Sequence, residues 1–253
     1  MKFTIVTPSF NQGAFIERTL RSIHAQRGEV DVEHVVVDGG STDGTLDILR
    51  RYEGQLSWTS SPDQGQSDAI NQGLRRATGD ILAWLNSDDV YEPGALAAVA
   101  AAYRARPFQW AFGNCRIIDE TDREIRRAIT AYKIRQSRRY SFHRLLRRDF
   151  VPQPAAFFTR EAFEQTGDLE GGLHYSMDYD YWLRLGRRWT PRYLDRTLAS
   201  FRWHTRSKNG AAYRAAARET LHTAQRHARP GEGFDVFMHR LHVLTLVVLY
   251  RCL

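Results

Sequence analysis

The sequence predicts an α/β protein whose mostly parallel sheet is sandwiched by helices and followed by a C-terminal helical extension. Three observations carry this. Short β-branched runs alternate with segments of helical period through the first half of the chain. Polar clusters follow three of those runs, where an open α/β sheet forms its ligand crevice. The 253 residues are 42% hydrophobic and 26% charged, enough for a sizeable core and too balanced for a disordered or fibrous chain.

Taken in order, Phe3 to Thr7 is a continuous apolar run, as expected of a strand covered on both faces. Ala14 to Gln26 follows as a helix, with Phe15, Ile16, Leu20 and Ile23 on one side. His34 to Val37 is the second strand and Thr45 to Tyr52 the second helix; Leu56 to Thr59 is a short third strand. Gln66 to Ala77 reads as a helix and Ile81 to Leu85 as the fourth strand. Glu92-Pro93-Gly94 opens a helix from Ala95 to Arg104, Pro being favoured at helix starts. Beyond it, Trp110 to Ile118 and Pro154 to Thr159 read as strands, Tyr179 to Leu185 as a helix, and Leu194 to Trp203 as extended. A soft boundary falls near Asp119.

The ends of the chain are read separately. Met1 to Pro8 lacks the apolar core of a signal peptide. Phe234 to Leu253 is amphipathic, and its run from Leu241 to Tyr250 is too short to span a bilayer. It is either a helix docked on the core or an interfacial helix with Arg240 and Arg251 facing headgroups.

Lys and Arg number 36 against 29 Asp and Glu, a net charge of +7. That favours anionic partners: nucleic acid, phosphorylated small molecules or an acidic membrane surface. Arg123 to Arg148 alone holds ten Arg or Lys, interleaved with Tyr132, Tyr140 and Phe142, but contains no nucleic-acid-binding motif. It is a solvated face or a binding platform. Cys115 and Cys252 are too far apart for a Cys-x-x-Cys pair and too few for a disulfide framework, so a reducing cytoplasm is expected.

Familiar phosphate motifs are missing. No Gly-x-Gly-x-x-Gly follows the first strand and no Gly-x-x-x-x-Gly-Lys occurs. Asp38 to Gly44 fails as a calcium loop, with Leu49 at the twelfth position. What remains is a carboxylate at several strand ends. Asp38 can accept hydrogen bonds from a base or ribose, or simply cap the turn through Gly39-Gly40. Asn86-Ser87-Asp88-Asp89 suits a hard cation shared with phosphates, or an N-capping cluster.

Four segments, in this order, resemble the family 2 glycosyltransferases of the GT-A fold. They are Thr7-Pro8-Ser9-Phe10-Asn11, Val37 to Thr45, Asp63 to Gly73, and Gly79 to Asp89, and the resemblance extends from Phe3 to about Lys208. It implies a Rossmann-like sheet that binds a nucleotide-diphosphate sugar, foremost a UDP-sugar. Thr7, Pro8 and Asp38 would hold the nucleoside, with Asp68 and Asn71 near the donor and Asn86 and Ser87 bonding to it. Asp88, with Asp89 and His204, would hold Mn2+ or Mg2+. Asn86 replaces the first acid of the family's Asp-x-Asp, which implies modest metal affinity. His174 to Arg184 resembles the acidic segment that carries the general base, matched by Asp178, with Asp180 as runner-up and an N-cap role as the plainer alternative. Phe201 to Lys208 resembles the late Arg-x-His segment, in which His204 meets metal or phosphate and Arg206 and Lys208 offset leaving-group charge; a purely structural His204 is the alternative. His222, His227, His239 and His242 are expected to be solvated or packed.

The implied protein is an inverting, metal-assisted transferase of glycan biosynthesis. Residues 1–118 would bind the nucleotide sugar, 119–210 a glycan or lipid-linked acceptor, and 211–253 would form a helical tail. It would be cytoplasmic, peripheral at the inner face of an anionic membrane, with no nucleic-acid partner. Rival readings are a nucleotidyltransferase that makes the sugar nucleotide, a non-catalytic binding module, and, last, a basic nucleic-acid binder.

Overall fold

The structure, a computed structural model, describes residues 1–204 and 213–249. Its sheet begins with four parallel strands, β1 (Lys2–Ser9), β2 (Asp31–Asp38), β3 (Ser57–Ser60) and β4 (Ile81–Trp84), in the spatial order β3-β2-β1-β4. The crossovers carry α1 (Ile16–His24), α2 (Thr45–Arg51) and α3 (Gln66–Arg76). Alternate residues enter opposite layers. Phe3, Ile5, Ile81 and Ala83 pack with α1 and with α4 (Ala95–Ala105), whereas Val6, Leu82 and Trp84 pack with α3 on the other face. Both faces are covered at β1 and β4, which is why Ile81–Trp84 reads as an unbroken apolar run and β1 as a buried one. At Gly73 the approach of α3 to β1 is so close that a Cβ would lie 2.4 Å from Val6 Cγ1.

Parallel pairing holds in this first half, and the sheet becomes mixed beyond it. β5 (Val90–Tyr91), β6 (Trp110–Ile118), β7 (Glu124–Ile125), β8 (Ala156–Thr159) and β9 (Arg192–Arg202) extend it. β8 runs antiparallel to both β4 and β6, β9 lies parallel to β6, and β5 closes the edge antiparallel to β9. The basic stretch, left without elements by the sequence, forms β7, α5 (Arg127–Ser137) and α6 (Phe142–Arg147), the last capped by Ser141 Oγ. After β8 come α7 (Arg160–Thr166) and α8 (Met177–Arg188). The expected helical tail is α9 (Tyr213–His227) and α10 (Gly233–Leu249).

One packing feature fixes the second half. Trp182 of α8 lies parallel between Trp84 of β4 (5.3 Å) and Trp110 of β6 (5.8 Å), all three essentially buried. Each such ring withdraws roughly 150–250 Å² from water, and a stacked pair adds about 0.5–1.5 kcal/mol. α8 is thereby clamped to the sheet, one turn from the acid at its start.

Candidate active site

A cleft of about 610 Å³ opens where β1, β2 and β4 end. Pro8 and Ser9 form one wall, Gly39 and Asp63 the next, and Ser87 and Asp88 the floor. Ser9 Oγ is buried there without a hydrogen-bond partner among the described residues. A second cavity, about 400 Å³, lies between the sheet, α5 and the tail helices; Lys133, Asp149, Trp203 and His242 are among its walls. The two spaces share Asn86, Gln153, Tyr175, Asp178 and Phe201. Asp178 therefore faces both.

Asp88 and Asp89 separate at this floor. Asp88 faces the cleft, with Oδ2 3.0 Å from His204 Nε2. The imidazole is buried and lies against the Phe15 ring at 4.6 Å. Asp89 points inward, fully buried, and accepts the Arg202 amide at 2.8 Å. Burial, and next the charge of Asp88, push its carboxyl well above the usual range. Buried Arg202 completes the lock by donating Nε to Asp88 O (2.8 Å) and Nη1 to Asp119 O (2.7 Å). Asn86, in the position of the missing acid, accepts from Gln66 Nε2 at 2.8 Å and donates to Gln153 Oε1 at 3.0 Å. Gln153 in turn donates to Trp84 O at 2.8 Å.

Several expected donor residues serve the walls rather than the cleft. Thr7 is buried, with its hydroxyl 3.0 Å from His34 Nε2, and desolvation lowers that imidazole to about 3, so it is neutral. Asp38 Oδ2 accepts from the amides of Gly40 (3.1 Å) and Ser41 (2.8 Å) and from Ser60 Oγ (2.7 Å), which is the turn-capping role; Gly40 sits at φ +85° to allow it. Asp68 accepts from the Gln64 amide and the Gln72 side chain. Asn71 clasps Leu169, its amide donating to the carbonyl and its oxygen accepting from the N–H, each at 2.9 Å. Asp89, the other acid expected at a metal, has its carboxyl group met by the Arg202 amide and the Asn86 side chain. Pro8, Asn86, Ser87, Asp88 and Asp178 line the cleft; Arg206 and Lys208 lie outside the described residues.

Asp178 stands in the first turn of α8, its Oδ1 accepting the Tyr179 amide at 2.8 Å. The start of that helix is held from the tail. Glu219 of α9 accepts the amides of His174 (3.2 Å), Tyr175 (2.7 Å) and Ser176 (2.7 Å). Burial works to raise the Glu219 carboxyl, but these donors outweigh it and hold it below the usual range. Burial also drives the Asp178 carboxyl upward against the Tyr179 amide and the Lys133 ammonium, with the Glu219 charge adding to the rise. Asp180 faces away, paired with Arg184 Nε (2.9 Å) and His227 Nε2 (2.7 Å). The sequence reading missed Glu219, Gln153 and Asp149. Glu219 lies 43 residues after Ser176, and no local pattern announces that contact.

Residues 4–167 match the sequence profile described as Glycosyl transferase family 2. The chain belongs to glycosyltransferase family 2. As a member it is a glycosyltransferase, and its similarities agree. It is 33% identical over 187 residues to an uncharacterized glycosyltransferase of Mycobacterium tuberculosis, covering 72% of this chain and 67% of the relative. A PGL/p-HBAD biosynthesis glycosyltransferase of the same organism is 31% identical over 207 residues, covering 79% and 76%. Among solved structures, S. aureus TarS 1-349 in complex with UDP-GlcNAc superposes with a TM-score of 0.73 at 18% identity, covering 93% of this chain and 69% of that one. The mannosyltransferase PcManGT from Pyrobaculum calidifontis, in complex with GDP-Man and Mn2+, gives 0.69 at 18%, covering 98% and 75%. These likenesses show the fold, the GT-A α/β sheet described above.

Proposed function

We propose that this family 2 enzyme is an inverting glycosyltransferase using a nucleotide-diphosphate sugar, foremost a UDP-sugar, with Asp178 as general base. The observation that carries the reading is the position of Asp178, on the common wall of two adjoining cavities with Asp88 on the floor of one. The larger space lies within the roughly 300–1,000 Å³ usual for small-molecule sites. The ligands of the two structural neighbours, UDP-GlcNAc and GDP-Man, favour a donor of this class.

The chemistry follows from that placement. A glycan or lipid-linked acceptor presents its hydroxyl from the smaller cavity, and Asp178 takes the proton as the oxygen bonds to the anomeric carbon. The bond from that carbon to the diphosphate oxygen breaks on the opposite face, and the nucleoside diphosphate leaves with the electron pair. Asn86, Gln66 and Gln153 form a polar ring that orients the donor sugar between the two spaces.

Among the described residues no cluster of three or more His, Cys, Asp or Glu could hold a metal ion by itself. One carboxylate with an adjacent imidazole still fits a hard divalent ion that takes its remaining oxygens from phosphates and water. Asp88 and His204 would hold Mn2+ or Mg2+, which supplies countercharge for the departing diphosphate. The reading also puts the enzyme in the cytoplasm with α10 against the inner face of an anionic membrane. The exposed rings and side chains of Phe234, Phe237, Leu241 and Leu244 support that placement.

A melting-temperature screen of UDP- and GDP-sugars with and without manganese tests the donor assignment. A specific donor should raise the melting temperature in a manganese-dependent way, and turnover should release a nucleoside diphosphate. Release of pyrophosphate from a nucleoside triphosphate would replace this reading with nucleotidyl transfer.

A further inference from the structure

Asp149 has no part in the account so far. It follows α6 by two residues, and its own side chain lines the smaller cavity together with Asp178. Among the described residues its Oδ1 is buried with no hydrogen-bond partner. A buried carboxylate oxygen without a partner is costly and calls for a reason. The groups around it are identifiable on every side. Lys133 approaches from α5, Asp178 and Tyr179 from α8, His239 and His242 from α10, while Arg148 precedes it and Glu219 of α9 stands behind Asp178. Lys133 is the cation that acts on both carboxyl groups, whereas the two guanidiniums that also line the cavity are engaged elsewhere, Arg116 with Glu92 and Arg126 over the Trp203 ring.

We propose that Asp149 is a positioning residue that acts as the charge partner of Asp178, holding a proton whenever Asp178 is a carboxylate. When Asp178 accepts the acceptor's hydroxyl proton and becomes neutral, Asp149 releases its own proton to water in the cavity. The acceptor's proton enters the pair and one proton leaves it for water, so the two carboxyl groups hold one proton before and after, and Lys133 faces a single negative charge throughout. The base is then presented ionised without the cavity ever burying two anions. Burial, and next the charge of Asp178, lift the Asp149 carboxyl to about 7, against Lys133 and the Val151 amide. Pairs of acids driven apart in this way are a recurrent mark of proton-transfer sites.

The role assigned to Asp149 rests on Asp178 being the base, yet the coupling can be measured without donor or acceptor. The probe is full-length protein labelled with 13C at the aspartate carboxyl carbons, titrated by NMR as wild type, Asp149→Asn and Asp178→Asn. In the wild type one carboxyl besides the buried Asp89 should titrate near neutrality, and that step should be absent from Asp149→Asn. In Asp178→Asn, which removes the neighbouring charge, the Asp149 midpoint should fall by at least about one pH unit. An unmoved midpoint would show that Asp149 is merely buried, and a wild type with no aspartate titrating above about pH 6 would remove the pair altogether. Either result leaves the Asp178 assignment to be judged by turnover of Asp178→Asn.

Discussion

Asp88 and Asp89 are neighbours in the chain, but the turn that carries them sends one carboxylate into the cleft and the other into the protein. The inward acid is tolerable because the Arg202 amide and the Asn86 side chain meet it, and its raised carboxyl spares the interior a second negative charge. The outward acid is left for the ligand, with His204 beside it. Asp88→Ala should therefore abolish the manganese-dependent part of donor binding. Calorimetry should show a loss of at least about a hundredfold in donor affinity with manganese, more than removal of an outer-shell partner of a metal. Unchanged affinity would take Asp88 out of the metal site. The sequence ranked Asp88 ahead of Asp89 only through the family resemblance; the contact with Arg202, more than a hundred residues away in the chain, is what separates them physically.

At the level of elements, the tail does two jobs. α9 supplies Glu219, which fixes the start of α8 and hence the direction of Asp178. α10 packs Asp235, His239 and Val243 inward and leaves Phe234, Phe237, Leu241 and Leu244 exposed on the opposite side. Those four recur at helical spacing, and the guanidinium of Arg147 lies 5.3 Å over the Phe234 ring. Among the described residues no helix is long and apolar enough to cross a membrane, and the proposed membrane contact has α10 lying in the interface plane; Tyr250 and Arg251 of the expected run fall outside the described residues. The double substitution Phe237→Glu with Leu241→Glu should reduce sedimentation with phosphatidylglycerol vesicles to the level seen with neutral phosphatidylcholine vesicles. Equal binding by wild type and variant would end the interfacial reading. The strands of the first half were legible because burial on both faces leaves short apolar, β-branched runs, and the helices because burial of one face imposes helical period. α5 to α7 were not, because charged and short segments carry little periodic signal.

For the whole molecule, a parallel half and a mixed half of one sheet meet at β4 and β8, and the cavities lie side by side over that junction. The sequence motifs located the cleft because they follow strand ends, where an open sheet leaves backbone and side chains free for a ligand. They did not separate cleft-facing residues from those that hold the walls. Asp38 and Asp68 sit at a strand end and a helix start, where short polar side chains close on nearby backbone, while Asn71, in the middle of α3, closes on Leu169 from a distant part of the chain. The claim that joins both halves is that Asp178 takes the acceptor's proton. Its most direct test compares wild type with Asp178→Asn for donor affinity by calorimetry and for nucleoside diphosphate release, with water standing in for the acceptor. The account predicts affinity within about twofold and release slowed at least about a hundredfold; release at the wild-type rate would contradict it.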